Sequence, residues 1–353
     1  MTRNGDFLVM EDRERIKEVL KEIDGNLVAD KKTITKHYDI MKRCVDAEKI
    51  TVGKNALTNV NQCMNAMIID YNENFSKKKL YKAIRCKDRF CPTCQKIEAR
   101  KMSFKLLICS RYIVQVKKKS LIFVTLTIPN CEGNLVRQTI SNLIKAWKHM
   151  TRLKRMKCIK GYYRKIEITY NKEKNNYHPH IHLMIAVNRS YFKNKEYVSH
   201  EEWKKLWQQS YENIAKIKMD QEPYVDVKRV YDEGAAFEIT KYCAKPCAEF
   251  YEDEDVYANM RNGVKGKQLV SPGGLFKEAF ELFENDELDY LMNEEEVKWV
   301  HRIRYEWDNP NEKYLHKALD IEEEVTREEL AFVAGNNPVG RKIEIIDFDE
   351  KED

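Results

Sequence analysis

The segment spanning residues 162–187 most constrains how this chain can fold. Two runs rich in β-branched and aromatic residues, 162–170 and 180–187, flank the polar stretch Asn-Lys-Glu-Lys-Asn-Asn at 171–176. Strands joined by so short a loop pair antiparallel. Further strand signals lie at 121–128, which is closed by Pro129-Asn130, and at 224–230. Helical spacing intervenes. Ile140, Leu143, Ile144 and Trp147 mark one amphipathic helix, and Ser199-His-Glu-Glu202 is a capping box that opens another through Trp203, Leu206 and Trp207. Ile16, Val19, Leu20 and Ile23 mark a helix near the N-terminus, with further helical stretches at 97–107 and at 235–245, before Pro246. Strands alternating with helices around a hairpin predict an α+β fold, an antiparallel sheet with packed helices.

Composition narrows the class. With 12 Gly and 8 Pro in 353 residues, the chain is neither fibrous nor of low complexity. The most apolar region, 106–128, is broken by Lys117-Lys118-Lys119, and no window reaches the ~18–20 apolar residues of a spanning helix. The first residues carry no signal-peptide core. A cytoplasmic location without a membrane partner is therefore expected. The net charge of +6 hides a segregation. Residues 77–165 hold 25 Lys and Arg against Asp88, Glu98 and Glu132, whereas residues 318–353 hold four basic and 12 acidic residues. A dense basic block that includes aromatic residues points to a nucleic-acid partner, the alternative being a solvated lysine-rich face. The acidic tail reads as a partly disordered segment able to compete with DNA for the basic surface. No phosphate-binding G-x-x-x-x-G-K-[ST] occurs, so no ATP-driven helicase is expected.

Ten cysteines in an intracellular chain do not form a disulfide framework. Cys44, Cys109, Cys131, Cys158, Cys243 and Cys247 read as small core residues. Cys86, Cys91 and Cys94 fall within nine residues, the last two as C-x-x-C. That spacing suits tetrahedral zinc, and Cys63 is the best-placed fourth ligand. A redox C-x-x-C is the alternative, but it lacks a βαβ context and leaves Cys86 unexplained. Four thiolates leave no open position, so such a zinc is structural.

In Tyr177-His-Pro-His-Ile-His-Leu-Met-Ile185, strand alternation puts His180 and His182 on one face and Ile181 and Leu183 on the other. Two imidazoles on one face form a metal platform. A third ligand is expected from Glu167, isolated between Ile166 and Ile168 on the neighbouring strand, with His178 as the competitor. The alternative role of Glu167 is an ion pair with Lys165. Two histidines and a carboxylate with open positions suit Mn2+ or Mg2+ holding a phosphate. At helical spacing Glu238, Lys241, Tyr242 and Lys245 share one face. A tyrosine hydroxyl, with a pKa near ~10, needs cations and a polarised electrophile before it becomes a nucleophile.

Taken in order, these motifs resemble the rolling-circle replication initiators of small bacterial plasmids, within the HUH endonuclease superfamily. The resemblance covers roughly residues 63–245. Its marks are the cysteine box, Phe123-Val-Thr-Leu-Thr-Ile-Pro-Asn130, the hairpin carrying Glu167 and His178-Pro-His-Ile-His182, the linker with Ser190-Tyr-Phe192 and Glu202-Trp203-x3-Trp207, and Glu238-x3-Tyr242-x2-Lys245. It implies a five-stranded antiparallel sheet with the histidine strand central. It also implies that Tyr242 nicks origin DNA, stays joined to the 5′-phosphate and leaves a 3′-OH for the host polymerase. In that scheme His180, His182 and Glu167 hold the metal, Glu238 activates water for the terminating step, and Lys241 and Lys245 steady the phosphate or phenolate. Arg85, Lys87, Arg89, Arg100, Lys101, Thr125 and Thr127 are expected to contact DNA, double- or single-stranded. A host helicase is a further expected partner. The linear organisation expected is a helical region at 1–60, a zinc module at 61–110, a nickase domain at 111–250, a helical region at 251–317 for DNA recognition or dimerisation, and the acidic tail from 318. Rival readings are a relaxase or single-strand transposase of the same superfamily, a zinc-dependent DNA-binding regulator, and a metal hydrolase without a covalent intermediate.

Overall fold

A computed structural model describes residues 4–230, 248–292, 297–322 and 345–347, with side chains described for 21–230, 248–292 and 297–322. Along the chain the main elements are α1 (Asn4–Asp46), α2 (Ala56–Gln62), β1 (Ala66–Asn72), β2 (Lys78–Ile84), α3 (Pro92–Arg111), β3 (Lys119–Leu126), α4 (Val136–Met150), β4 (Gly161–Asn171), β5 (Asn176–Asn188), α5 (His200–Ala215), β6 (Val225–Val230), α6 (Glu254–Val264), β7 (Val270–Gly274), α7 (Leu275–Glu284), β8 (Trp299–Asp308), β9 (Lys313–Leu319) and β10 (Ile345–Asp347). The chain forms two compact units, one of Met1–Val45, Thr51–Gln95 and Glu294–Asp353, the other of Asp46–Ile50 and Lys96–Asn293. None of the described helices is long and apolar enough to cross a membrane.

The first unit is built on a five-stranded sheet of order β10-β2-β1-β8-β9, antiparallel throughout. The β1–β2 turn is set by asparagine chemistry. Asn72 Oδ1 accepts from Lys77 N at 2.9 Å, Asn74 Oδ1 accepts from Ser76 N at 3.1 Å, and Phe75 takes a positive φ of 58°. Met67, Ile69 and Tyr71 of β1 join Ile303 and Tyr305 of β8, Ile34 of α1 and three of the clustered cysteines in one core. On the other face of the sheet Arg302 forms a two-pronged ion pair with its cross-strand partner Asp70, at 2.7 and 2.9 Å. This sheet was not expected. Lys-Lys-Leu-Tyr-Lys-Ala-Ile in β2 reads as a basic run, and β8 completes the sheet from more than 200 residues away. The cysteine region is therefore not a separate linear module at 61–110, because two strands alone bury too little to be stable. Residues 251–317, expected to be helical, hold β7, β8 and β9 as well as α6 and α7.

The second unit bears out the expected five-stranded antiparallel sheet with the histidine strand central, its order being β6-β3-β5-β4-β7. One face carries Ile181, Leu183 and Ile185, all fully buried, on the side covered by α4 and α5. On α4 the residues Ile140, Leu143, Ala146, Trp147 and Met150 are buried, as the apolar spacing predicts, and Trp147 meets Tyr162 edge-on at 5.2 Å. The capping box forms at the start of α5, with Ser199 Oγ accepting from Glu202 N and Glu202 accepting from Ser199 N. Arg155 grips the same carboxylate with two hydrogen bonds of 3.0 Å and, with the backbone amide of Ser199, holds it down to about 2. On the opposite face Leu121, Tyr163, Met184 and Ala186 share a core with Leu106 and Ile113 and with Phe276, Ala279 and Phe280 of α7. Strand β7 approaches β4 closely because Gly161 has no side chain; a Cβ there would lie 2.5 Å from the Leu275 amide. The same face continues along β4 and β5 beyond this core, and there it carries His180, His182 and Glu167.

Candidate metal centres and active site

Register brings the acid and the imidazoles together. Glu167 is the direct cross-strand partner of His180, and His182 is the partner of both Lys165 on β4 and Thr125 on β3. Directly opposite residues share a face, so the hairpin alone aligns the three groups. His180 Nε2 lies 3.1 Å from His182 Nε2. Glu167 Oε2 lies 3.3 Å from His182 Nε2 and 3.8 Å from His180 Nε2. Both imidazoles are buried, at 9% and 7% exposure, and His182 stacks on Phe123 at 5.7 Å.

A neighbouring carbonyl fixes the tautomer of His180. His180 Nδ1 is 3.1 Å from the His178 carbonyl, which can only accept, so the proton sits on Nδ1 and Nε2 offers a lone pair. Burial pushes the His180 pKa down to about 4, against an opposing pull from that carbonyl, so the ring is neutral near pH 7. His182 Nδ1 meets the Thr125 hydroxyl at 3.2 Å, which leaves its Nε2 facing the cluster. His180 Nε2 and Glu167 Oε2, both acceptors, lie together at the cluster, and Glu167 Oε2 is buried with no hydrogen-bond partner. A cation resolves that arrangement. The donor set, two imidazoles and a carboxylate with one ligand atom of each within 4.8 Å of the others, fits a divalent ion with open positions. His178 points elsewhere, its Nδ1 2.7 Å from Asn130 Oδ1, and burial lowers its pKa. Glu167, not His178, completes the cluster.

The second cluster has different chemistry. Cys63, Cys86, Cys91 and Cys94 converge, with Sγ separations of 3.8 Å (63–91), 3.6 Å (63–94) and 3.7 Å (86–94). Four thiolates at ~2.3 Å from a tetrahedral zinc stand about 3.8 Å apart, so the residues fit that ion. Cys63 closes the set from the end of α2, and the C-x-x-C turn leads into α3. Amides at Cys86 and Asp88 approach Cys63 Sγ and Cys86 Sγ at 3.5 and 3.4 Å, the contacts a thiolate accepts. Hydrogen bonds from Cys63, Cys86 and Cys91 hold Cys94 far below the usual thiol range, while the same network pushes Cys63 up.

Several neighbours of these clusters were not legible as such. Lys31 is buried with its Nζ on the Cys63 and Asn61 carbonyls, at 2.9 and 3.1 Å, and burial lowers it to about 8. Arg85, expected to contact DNA, is instead buried at 2% exposure, and its charge acts on Cys94. Thr125 and Thr127, also expected on DNA, are engaged within the protein. Thr125 faces His182, and Thr127 Oγ1 donates to the Tyr224 carbonyl at 2.9 Å and accepts from its amide at 3.0 Å. No sequence period marks such contacts, because they depend on which strands become neighbours. Lys87, Arg89 and Arg100 are exposed and Lys101 is half-buried. Glu238, Lys241, Tyr242 and Lys245 lie outside the described residues.

Comparison with known proteins places the chain among replication proteins. A replication-protein family model, Rep_1, matches residues 77–315. A Protein rep of Staphylococcus aureus is 37% identical over 196 residues, covering 55% of this chain and 84% of that protein. A Protein rep of Streptococcus pneumoniae serotype 2 is 33% identical over 254 residues, covering 68% of this chain and 78% of that protein. No solved structure matches. With a family model spanning both the cysteine box and the histidine hairpin, the chain belongs to the Rep_1 family of replication proteins.

Proposed function

We propose that this protein is a plasmid rolling-circle replication initiator that nicks its double-strand origin through a tyrosine. The observation that carries the proposal is the convergence of His180 Nε2, His182 Nε2 and Glu167 Oε2 on one point of the sheet face at its central strands. The family match and the ordered motifs support it. In this reading the Tyr242 oxygen attacks the scissile phosphorus. The phosphorus–O3′ bond breaks, the phenolic proton leaves to solvent or a base, and the 3′-oxygen takes up a proton. The products are a 5′-phosphotyrosine and a 3′-OH primer for the host polymerase. Mn2+ or Mg2+ bound by the three residues would supply charge neutralisation at the phosphate. Lys241 and Lys245 steady the phosphate or the phenolate, and Glu238 activates water for the second, terminating cleavage. Thr125 and the His178 carbonyl keep both imidazoles turned with Nε2 toward the site.

The four-thiolate cluster is read as a structural zinc site that holds the first unit together. Lys87, Arg89, Arg100 and Lys101 are read as contacts to origin DNA, and a host helicase opens the duplex, all in the cytoplasm. The test is a labelled single-stranded oligonucleotide spanning the origin nick site. Wild-type protein with Mn2+ is expected to yield an SDS-stable adduct, and Tyr242→Phe none. An adduct formed by Tyr242→Phe, or one formed equally in EDTA, overturns the reading.

A further inference from the structure

Tyr224 is among the most exposed large side chains of the described residues, at 66%, yet both its amide and its carbonyl are hydrogen-bonded to Thr127. Thr127 N donates to the Tyr224 carbonyl at 3.0 Å, and the Thr127 hydroxyl bridges both the amide and the carbonyl of Tyr224. Thr127 is fixed in turn by the buried Trp207, whose indole N–H donates to its carbonyl at 2.7 Å. On the following residue, the Val225 carbonyl lies 2.6 Å from His200 Nε2. Rigid presentation of an exposed aromatic ring has no use in packing.

Its position suggests one. Thr125 pairs with His182 on one side and with Asp226 on the other, so Asp226 shares the sheet face of the imidazoles. Tyr224 lies two residues before Asp226, and its ladder bond to Thr127 continues the β3–β6 pairing, so strand alternation places it on that same face. Strand β6 is two strands from β5, which at ~4.8 Å per strand puts Tyr224 about 10 Å from the histidines. A short stretch of single strand with a phosphate at the acid–imidazole cluster spans that distance. Between the two lie Thr125 and Thr127 of β3, and the adjoining Asp226 carboxylate is paired with Lys228 at 2.7 Å.

We propose that Tyr224 is a stacking platform for an unpaired base of the DNA strand held at the acid–imidazole cluster. This rests on the nickase reading and names the strand-binding residue that reading lacks. Stacking on an aromatic face is sequence-tolerant, so the assay needs no knowledge of the origin. Full-length protein is titrated into a fluorescein-labelled, mixed-sequence single-stranded oligonucleotide in EDTA, with anisotropy as the signal. Tyr224→Ala and Tyr224→Leu are expected to raise Kd about ten-fold, and Tyr224→Trp to keep the wild-type value. The slope of log Kd against log salt should stay the same in all four proteins, because no phosphate contact is lost. Equal Kd values across the set, or a reduced slope in Tyr224→Ala, overturn the proposal while leaving the nickase reading intact. Wild-type protein that fails to bind the single strand overturns the proposal as well, whereas the nickase reading stands or falls by the adduct assay.

Discussion

The two donor clusters of this chain use opposite solutions to the same problem, holding several electron-rich atoms close together inside a protein. The cysteine cluster supplies four thiols at tetrahedral separations, three of them at 0–2% exposure, and leaves no coordination position free. The acid–imidazole cluster supplies only three donors, on a sheet face whose core ends one residue pair earlier. A closed set can only hold structure together, whereas an open set can accept a substrate oxygen. The difference also lies in chain distance. The cysteines come from three separated points, the end of α2, the end of β2 and the start of α3, so an ion there ties distant segments to one another. The histidines and Glu167 sit on adjacent strands of one hairpin, held in register by the rest of its five-stranded sheet. Metal removal should therefore be felt as unfolding at one site and as lost chemistry at the other.

The largest expected effect breaks the first half of this contrast. Cys63→Ser should remove zinc and unfold the first unit, since structural zinc contributes on the order of 10 kcal/mol. Thermal melts followed by circular dichroism, paired with metal analysis, read both consequences. A variant that keeps one zinc per chain and melts like wild type excludes Cys63 as a ligand. The next effect tests the other half. His182→Ala should lower nicking about a hundred-fold or more, the scale of one lost electrostatic contact in a transition state, while both the melt and the zinc content stay near wild type. A melt that collapses with the activity would show that the histidine is structural and that the two clusters do not differ in kind.

How much of this was written plainly in the sequence follows from the range of the interactions. The hairpin, the α5 capping box and the Glu167–His180–His182 face follow from period two, a short polar loop and a capping pattern, which are local, whereas the central place of the histidine strand came only with the family resemblance. The cysteine tetrad was legible because metal geometry restricts the spacing. The first unit's sheet was not, because β1 finds β8 across most of the chain and its register is fixed only by burial on both sides. The burial of Arg85 and the protein partners of the threonines were not legible for a related reason. A basic or hydroxylated residue inside a DNA-binding motif has the same letter whether it faces a phosphate, a thiolate or an imidazole, and only tertiary neighbours decide.

Thr125 allows that last point to be turned into a measurement, with the smallest effect of the series. Valine matches threonine in shape and suits a strand, so Thr125→Val removes the hydroxyl at His182 Nδ1 and little else. Without that partner the ring is free to carry its proton on Nε2, the nitrogen that faces His180 and Glu167. A metal must then displace that proton before it binds. The Mn2+ concentration for half-maximal nicking should rise about ten-fold, the scale found when the hydrogen-bond partner of a metal-bound histidine is lost, while the rate at saturating Mn2+ stays close to wild type. If Thr125 instead touches DNA, as the sequence motif suggests, the metal requirement stays fixed and the oligonucleotide concentration for half-maximal rate rises. The two titrations thus separate orientation of a ligand from recognition of the strand at a single hydroxyl.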